Sequence, residues 1–190
     1  MNDKIYNSII ESAEKLFNRF GIGKTAVSDV ADMADVSRAT IFNNFGNKDG
    51  LIEAVLQHKA DDFSHQIKKR VNSSDTAAQQ IKIILLERLK LLRSLKFLTD
   101  KRIRYSNKSI EKFILELNEI FKHRVWNILQ HMRGGDLDHK SMLNSIFFML
   151  RGIEQGLFDH IEPFQLSGIE KDMDFFLKQM FKGEKEGGSS

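Results

Sequence analysis

TAVSDVADMADVSRATIFNNFGNKDGL, residues 25–51, holds the decisive pattern of this chain. Val27, Val30, Ala31 and Ala34 recur at steps of three and four, the apolar face of a short helix, and Thr25 stands where a hydroxyl caps its start. Asp35 follows at the point where the chain must turn sharply, and aspartate tolerates a left-handed backbone better than most residues. Val36 plugs the turn, and Ser37 caps a second short helix. In that helix Ile41 and Phe45 face inward, while Arg38, Ala39, Thr40 and Asn43 face out. Asn44 and Gly46-Asn47 break it, and a new helix begins near Lys48. A helix, a tight turn and a second helix opened by a serine form the layout that fits a helix into the major groove of DNA.

Upstream, Ile5, Ile9, Ala13, Leu16, Phe17 and Phe20 form one apolar stripe, ended by Gly21 and Gly23. Downstream the pattern stays helical. Expected helices run from Lys48 to Val71, Thr76 to Arg93 and Leu95 to Arg104. Another runs from Ser106-Asn107 through Leu129 to Gly134-Gly135, and one opened by Asp138 passes Leu157 and Phe158. Pro163 breaks the chain before a last amphipathic helix at Ile169–Met180. The reading is all-α, about nine helices. Residues 1–50 are expected to form a three-helix DNA-binding domain and 51–182 a helical body for ligand binding and dimerisation. Residues 183–190 are expected to be a disordered polar tail.

Composition agrees. Of 190 residues, 41% are hydrophobic and 29% charged, enough for a core in a soluble domain, and the one proline leaves room for long helices. No cysteine is present, so no disulfide or thiolate chemistry is expected. No secretory signal is evident at the N-terminus, and the apolar run Ile146–Leu150 is far short of the ~20 residues of a spanning helix. A cytoplasmic, nucleoid-associated protein with no membrane partner is expected. Net charge is only +3. Through Gly50 there are six basic and seven acidic residues, so bulk charge does not draw this segment to DNA. Residues 82–124 carry twelve basic against five acidic residues, which reads as a solvated helix face or as a basic rim around an anionic ligand.

AEKLF with its following glycine, TAVSDVADMADVSRATIF and NNFGNKDGL together resemble the TetR (tetracycline-repressor) family of bacterial transcription regulators, over about the first fifty residues. Beyond them the resemblance is one of layout. It departs from the family at Asp35, where glycine is usual, and at Phe42, where the family's tyrosine commonly touches a phosphate. Phe42 lacks that hydroxyl and is left to pack on a sugar or thymine methyl, or to be structural.

Recognition needs side chains that reach base edges, flanked by donors to phosphates. Arg38 can reach guanine O6 and N7, Asn43 an adenine, and Ala39 or the Thr40 methyl a thymine methyl. Thr25, Ser37, Thr40 and Lys48 are placed for phosphates, Lys48 with its own helix N-terminus behind it; the resemblance implies the same role for Lys48. One short helix reads few base pairs, so a homodimer on a palindromic, double-stranded operator is expected. Ile146, Leu150, Ile153, Leu157, Met173, Phe176 and Met180 are the candidate pairing surface, with Gly152 and Gly156 permitting close helix approach. The arrangement seen in the family is a four-helix bundle.

For the effector, Phe97, Tyr105, Phe113, Phe121, Trp126 and Phe147 are candidate pocket liners, although each taken singly reads more readily as ordinary core. Arg102, Arg104, Lys108 and Arg124 offer cations to a carboxylate or phosphate, which suggests a fatty acid or acyl thioester. His123 and His131 lack a carboxylate or cysteine in register, so no metal and no cofactor is expected. No nucleophile–base spacing or phosphate loop marks an enzyme. The sequence thus favours a ligand-responsive dimeric repressor. The alternative is a helical DNA-binding protein of architectural or partner-recruiting role without an inducer.

Overall fold

A computed structural model describes residues 2–73, 75–132, 138–158 and 166–182. The expected helix end at Gly134-Gly135, the break at Pro163 and the tail from Gly183 lie outside the described residues. Those described form nine α-helices and no strand: α1 (Asp3–Phe20), α2 (Val27–Met33), α3 (Arg38–Phe45), α4 (Lys48–Arg70), α5 (Ala77–Ser94), α6 (Lys101–Ser106), α7 (Lys108–Gln130), α8 (His139–Phe158) and α9 (Leu166–Met180). A 3₁₀ turn, Lys96–Thr99, stands between α5 and α6. No helix among the described residues is long and apolar enough to cross a membrane.

Two local readings of the sequence are corrected. The stretch Leu95–Arg104 is not one helix. The Asp100 carboxylate accepts the N–H groups of Arg102 and Ile103, which starts α6 afresh after the 3₁₀ turn. Thr25 does not cap α2. Its hydroxyl donates to the Gly21 carbonyl at 2.9 Å, and α2 starts one residue later, where the Asp29 carboxylate accepts the Ala26 N–H at 2.8 Å. An acid in a first turn also suits the positive end of the helix.

The chain falls into two compact units, and neither is a single continuous segment. The first comprises the residues up to Asp62 together with Leu91–Leu117. Its core is the α1 stripe Ile9, Ile10, Ala13, Leu16 and Phe17, with Val30, Ala31, Ile41, Leu51 and Val55, all buried. Phe97 meets Phe17 edge-on at 6.0 Å, and the Asn18 amide donates to the Ser94 carbonyl at 2.9 Å. Both contacts tie residues 94–97 to the last turn of α1. Burying each such Ile, Leu or Phe contributes about 1.5–3 kcal/mol.

The second unit comprises Phe63–Lys90 and the residues from Asn118 onward. Ile81, Leu85, Phe121, Val125, Leu129, Ile146, Leu150 and Leu177 form its apolar interior. A charge is enclosed with them. Arg88 is fully buried, and its Nε donates to Glu154 at 2.5 Å and its Nη2 to Asn118 at 2.6 Å. Its guanidinium also lies 5.7 Å from the Phe121 ring centre. Lys82 links α5 to α9 through Asp174 at 2.8 Å and Glu170 at 3.0 Å.

Candidate nucleic-acid interface

The turn between α2 and α3 is closed by backbone geometry. Asp35 takes φ 54°, the left-handed conformation expected of it, and the Val36 N–H reaches back to the Ala31 carbonyl at 3.0 Å. Ser37 then caps α3, its Oγ accepting the Thr40 N–H at 3.1 Å and meeting Thr40 Oγ1 at 2.9 Å. Ile41 is fully buried and pins α3 to the unit, with the Phe45 ring 5.8 Å from that of Tyr6. The opposite face follows from the helical period: Arg38, Ala39, Phe42 and Asn43 are all exposed. Phe42 keeps 42% of its surface open, an apolar ring offered outward rather than a core residue.

The far end of α3 is fixed as firmly. Asn44, exposed like Asn43, donates its side-chain amide to the Thr40 carbonyl at 2.6 Å one residue before α3 ends. Gly46 adopts φ 74°. Asn47 caps α4 by accepting the Gly50 N–H at 2.9 Å. A Cβ on Gly50 would stand 2.0 Å from the Phe45 carbonyl oxygen, so only glycine lets α4 start this close to the end of α3. Lys48, half-buried on the first turn of α4, is thereby held at a fixed step from the recognition face. Sequence reasoning read Asn47 only as a breaker and gave Gly50 no role. The Asn-x-x-Gly spacing at the start of an apolar run was the available signal.

Of the expected phosphate contacts, Ser37, Thr40 and Lys48 sit around this exposed face. Thr25 does not. It is only 2% exposed and its hydroxyl is committed to Gly21, so its side chain serves the α1–α2 connection.

The other candidate sites separate. Phe97, Tyr105 and Phe113 lie in the first unit, Phe121, Trp126 and Phe147 in the second. Tyr105 is 77% exposed and lines no interior; Arg104, whose guanidinium reaches back to the Leu98 carbonyl, stacks on the ring at 5.0 Å. Phe97 belongs to the packing against Phe17. In the second unit the Phe121 and Phe147 rings lie 6.2 Å apart, and Trp126 meets His139 at 6.4 Å. Among the proposed pairing residues, Ile146, Leu150 and Met173 are buried within the single chain and cannot face a partner. The large apolar residues that α8 and α9 turn outward are Phe148 and Phe175, at 74% and 68% exposed, and neither was anticipated. Gly152, one turn from Phe148, has open space where its Cβ would be; Gly156 is buried. Ile153, Leu157, Phe176 and Met180 are half-buried. His123 and His131 both engage Asn127. Among the described residues no group of three His, Cys, Asp or Glu could hold a metal ion.

Residues 9–55 match the family model described as bacterial regulatory proteins, tetR family. The HTH-type transcriptional regulator LuxR of Vibrio harveyi is 34% identical over 73 residues, which is 38% of this chain and 36% of that protein. The fatty acid metabolism regulator protein of Bacillus subtilis is 25% identical over 120 residues, 62% of this chain and 60% of that one. The chain thus spans between about a third and three fifths of these curated relatives. Among solved structures, the transcriptional regulator FadR of Bacillus subtilis, in complex with stearoyl-CoA, superposes with a TM-score of 0.72 at 20% identity. That match covers 90% of this chain and 97% of that one, and it shows a shared fold.

Proposed function

From membership of the tetR family of bacterial regulatory proteins, which residues 9–55 carry, we propose that this chain is a dimeric DNA-binding repressor released from a palindromic operator by an apolar, anionic effector. The observation that carries the proposal is the face of α3. Arg38, Ala39, Phe42 and Asn43 stand outward on a helix whose other side is anchored by the buried Ile41. Arg38 and Asn43 read base edges, Ala39 and Phe42 meet apolar edges or sugars, and Ser37, Thr40 and Lys48 bind phosphates. Lys48 adds the N-terminus of a 23-residue helix to its own charge.

A single eight-residue helix cannot specify an operator, which is the argument for two copies. Phe148 with Gly152 on α8, and Phe175 on α9, are the apolar surface for the second copy, with Ile153, Leu157, Phe176 and Met180 at its margin. The effector is a fatty acid or acyl thioester. Its support is the apolar, aromatic interior of the second unit and the fold shared with a regulator solved with stearoyl-CoA. α4 is one uninterrupted helix whose residues divide between the two units, and it is the element that transmits the effector's presence.

The test is a salt-titrated gel shift on an operator obtained by selection. Arg38→Ala should relax preference at one position of each half-site by about 1–3 kcal/mol. Lys48→Ala should weaken binding to every sequence and flatten the salt dependence. Both variants binding like the parent would overturn the assignment. Phe148→Glu with Phe175→Glu should yield monomers in sedimentation. Long-chain acyl thioester should release the operator; release by no acyl compound would favour the architectural reading.

A further inference from the structure

The recognition segment is short of the cations that DNA binding requires. Residues 1–50 carry one more negative than positive charge, whereas affinity for a duplex comes largely from neutralised phosphates. The first compact unit contains a second segment of opposite character. Arg93–Lys108 carries six basic residues and one acid, Asp100, whose carboxylate is used to cap α6.

This segment is fastened to the DNA-reading frame. Phe97 packs on Phe17 and Ser94 accepts from Asn18, both at the last turn of α1. Ile103 Cδ1 comes within 4.0 Å of where a Cβ on Gly23 would sit. α6 therefore abuts the α1–α2 loop, which carries the exposed Lys24 and leads into α2. Arg104 is spent on the fold, donating to the Leu98 carbonyl at 3.3 Å and stacking on Tyr105. That stacking holds the Tyr105 ring outward. Arg102 and Lys108, three residues before and after Tyr105 in the chain, are exposed.

We propose that Arg102, Tyr105 and Lys108, with Lys24, form a second phosphate-binding surface that grips the duplex backbone outside the half-site read by α3. The partner is double-stranded DNA, by charge complementarity and by continuity with the recognition unit. Two of the four cations that looked from sequence like an effector rim, Arg102 and Lys108, are thereby given to the operator flanks. The inference rests on the DNA-binding reading, and its contacts carry no sequence information.

The experiment compares the parent with Arg102→Gln/Lys108→Gln, using duplexes that end at the half-sites and duplexes extended by about half a helical turn. Each cation lost should lower the slope of log affinity against log salt by about 0.9 per protomer. That corresponds to about threefold less loss of affinity between about 50 and 200 mM salt. The parent should gain affinity from the extended flanks and the double variant should not, while Arg102→Lys/Lys108→Arg should behave as the parent. An unchanged slope with an unchanged flank gain overturns the proposal. So does a double variant that binds both duplexes normally but no longer responds to acyl thioester, since the cations then belong to the effector. The slope is equally readable on non-specific duplex. A parent without operator preference would therefore sink the repressor reading and still leave this test standing.

Discussion

The α2–α4 face of the first unit and the core of the second treat charge in opposite ways. In the first, Arg38 is exposed and Lys48 half-buried, and the local fold is fixed by backbone devices: the left-handed Asp35, the Ser37 cap, and Gly50 against the Phe45 carbonyl. In the second, a guanidinium is taken fully inside and matched to Glu154 and Asn118. The contrast follows from what each unit must present. A recognition face needs rigid placement of side chains that remain hydrated until DNA arrives, and caps and turns provide that without enclosing a charge. A ladder of aliphatic helices can slide in register, and one buried polar network penalises every register but its own.

The largest effects should come from breaking the second arrangement. Glu154→Ala strands the Arg88 charge in an apolar interior and should cost about 3–5 kcal/mol in urea unfolding. The double change Arg88→Met/Glu154→Leu should recover most of that loss. If the double variant is as unstable as the single one, the network contributes packing rather than charge compensation. Next comes the junction of α3 and α4. Gly50→Ala places a methyl against a backbone oxygen that cannot move alone, so about 1–3 kcal/mol of stability should go. Operator affinity should fall with it, because Lys48 is displaced from α3. Normal affinity and stability together would show that α4 can start elsewhere. Ser37→Ala should cost about 1 kcal/mol through the lost cap, with fraying of α3 visible in amide exchange at Thr40.

The same contrast explains what could be read from the sequence. The first unit's recognition element was legible because its determinants are local. A capping serine, a turn residue tolerant of positive φ and an apolar period of three and four lie within twenty residues of each other. Helix boundaries failed where two local candidates competed. Asp29 captured the start of α2 from Thr25, and Asp100 split the stretch expected as one helix. The second unit was legible only as a set of helices. Nothing near Glu154 in sequence announces that an acid on the Met142–Ile146–Leu150 stripe is buried, because its partner Arg88 is 66 residues away. Three of the seven residues expected at the pairing surface proved to be buried for a related reason. Hydrophobicity identified Ile146, Leu150 and Met173 as apolar, but whether an apolar residue faces its own core or a second copy depends on tertiary packing. Phe148 and Phe175 fall off those stripes and turn outward.

The smallest effects should be those of charges paired at the surface, and their pH dependence sharpens the comparison with Arg88. Lys82 is held above the ordinary lysine value of 10.5, chiefly by its hydrogen bond to Asp174, against a desolvation cost, with Glu170 assisting. A folded-state value raised above the unfolded one stabilises the protein fully below pH 10.5, and that contribution disappears as pH climbs through the folded value. Asp138 is displaced the other way. The Ser141 hydroxyl and N–H bind its carboxylate and hold it below the ordinary 3.8. Its contribution is therefore present above pH 3.8 and lost as pH falls through the depressed value. Urea midpoints of the parent, Lys82→Met and Asp138→Asn should differ by constant amounts across the neutral range. The Lys82→Met difference should close only at the alkaline end, the Asp138→Asn difference only at the acid end. A Lys82→Met difference that vanishes already near neutrality would mean that the ion pairs of Lys82 with Asp174 and Glu170 are idle. Glu154→Ala removes a partner from the enclosed network rather than from a surface ion pair, so its cost should stand well above that of Lys82→Met.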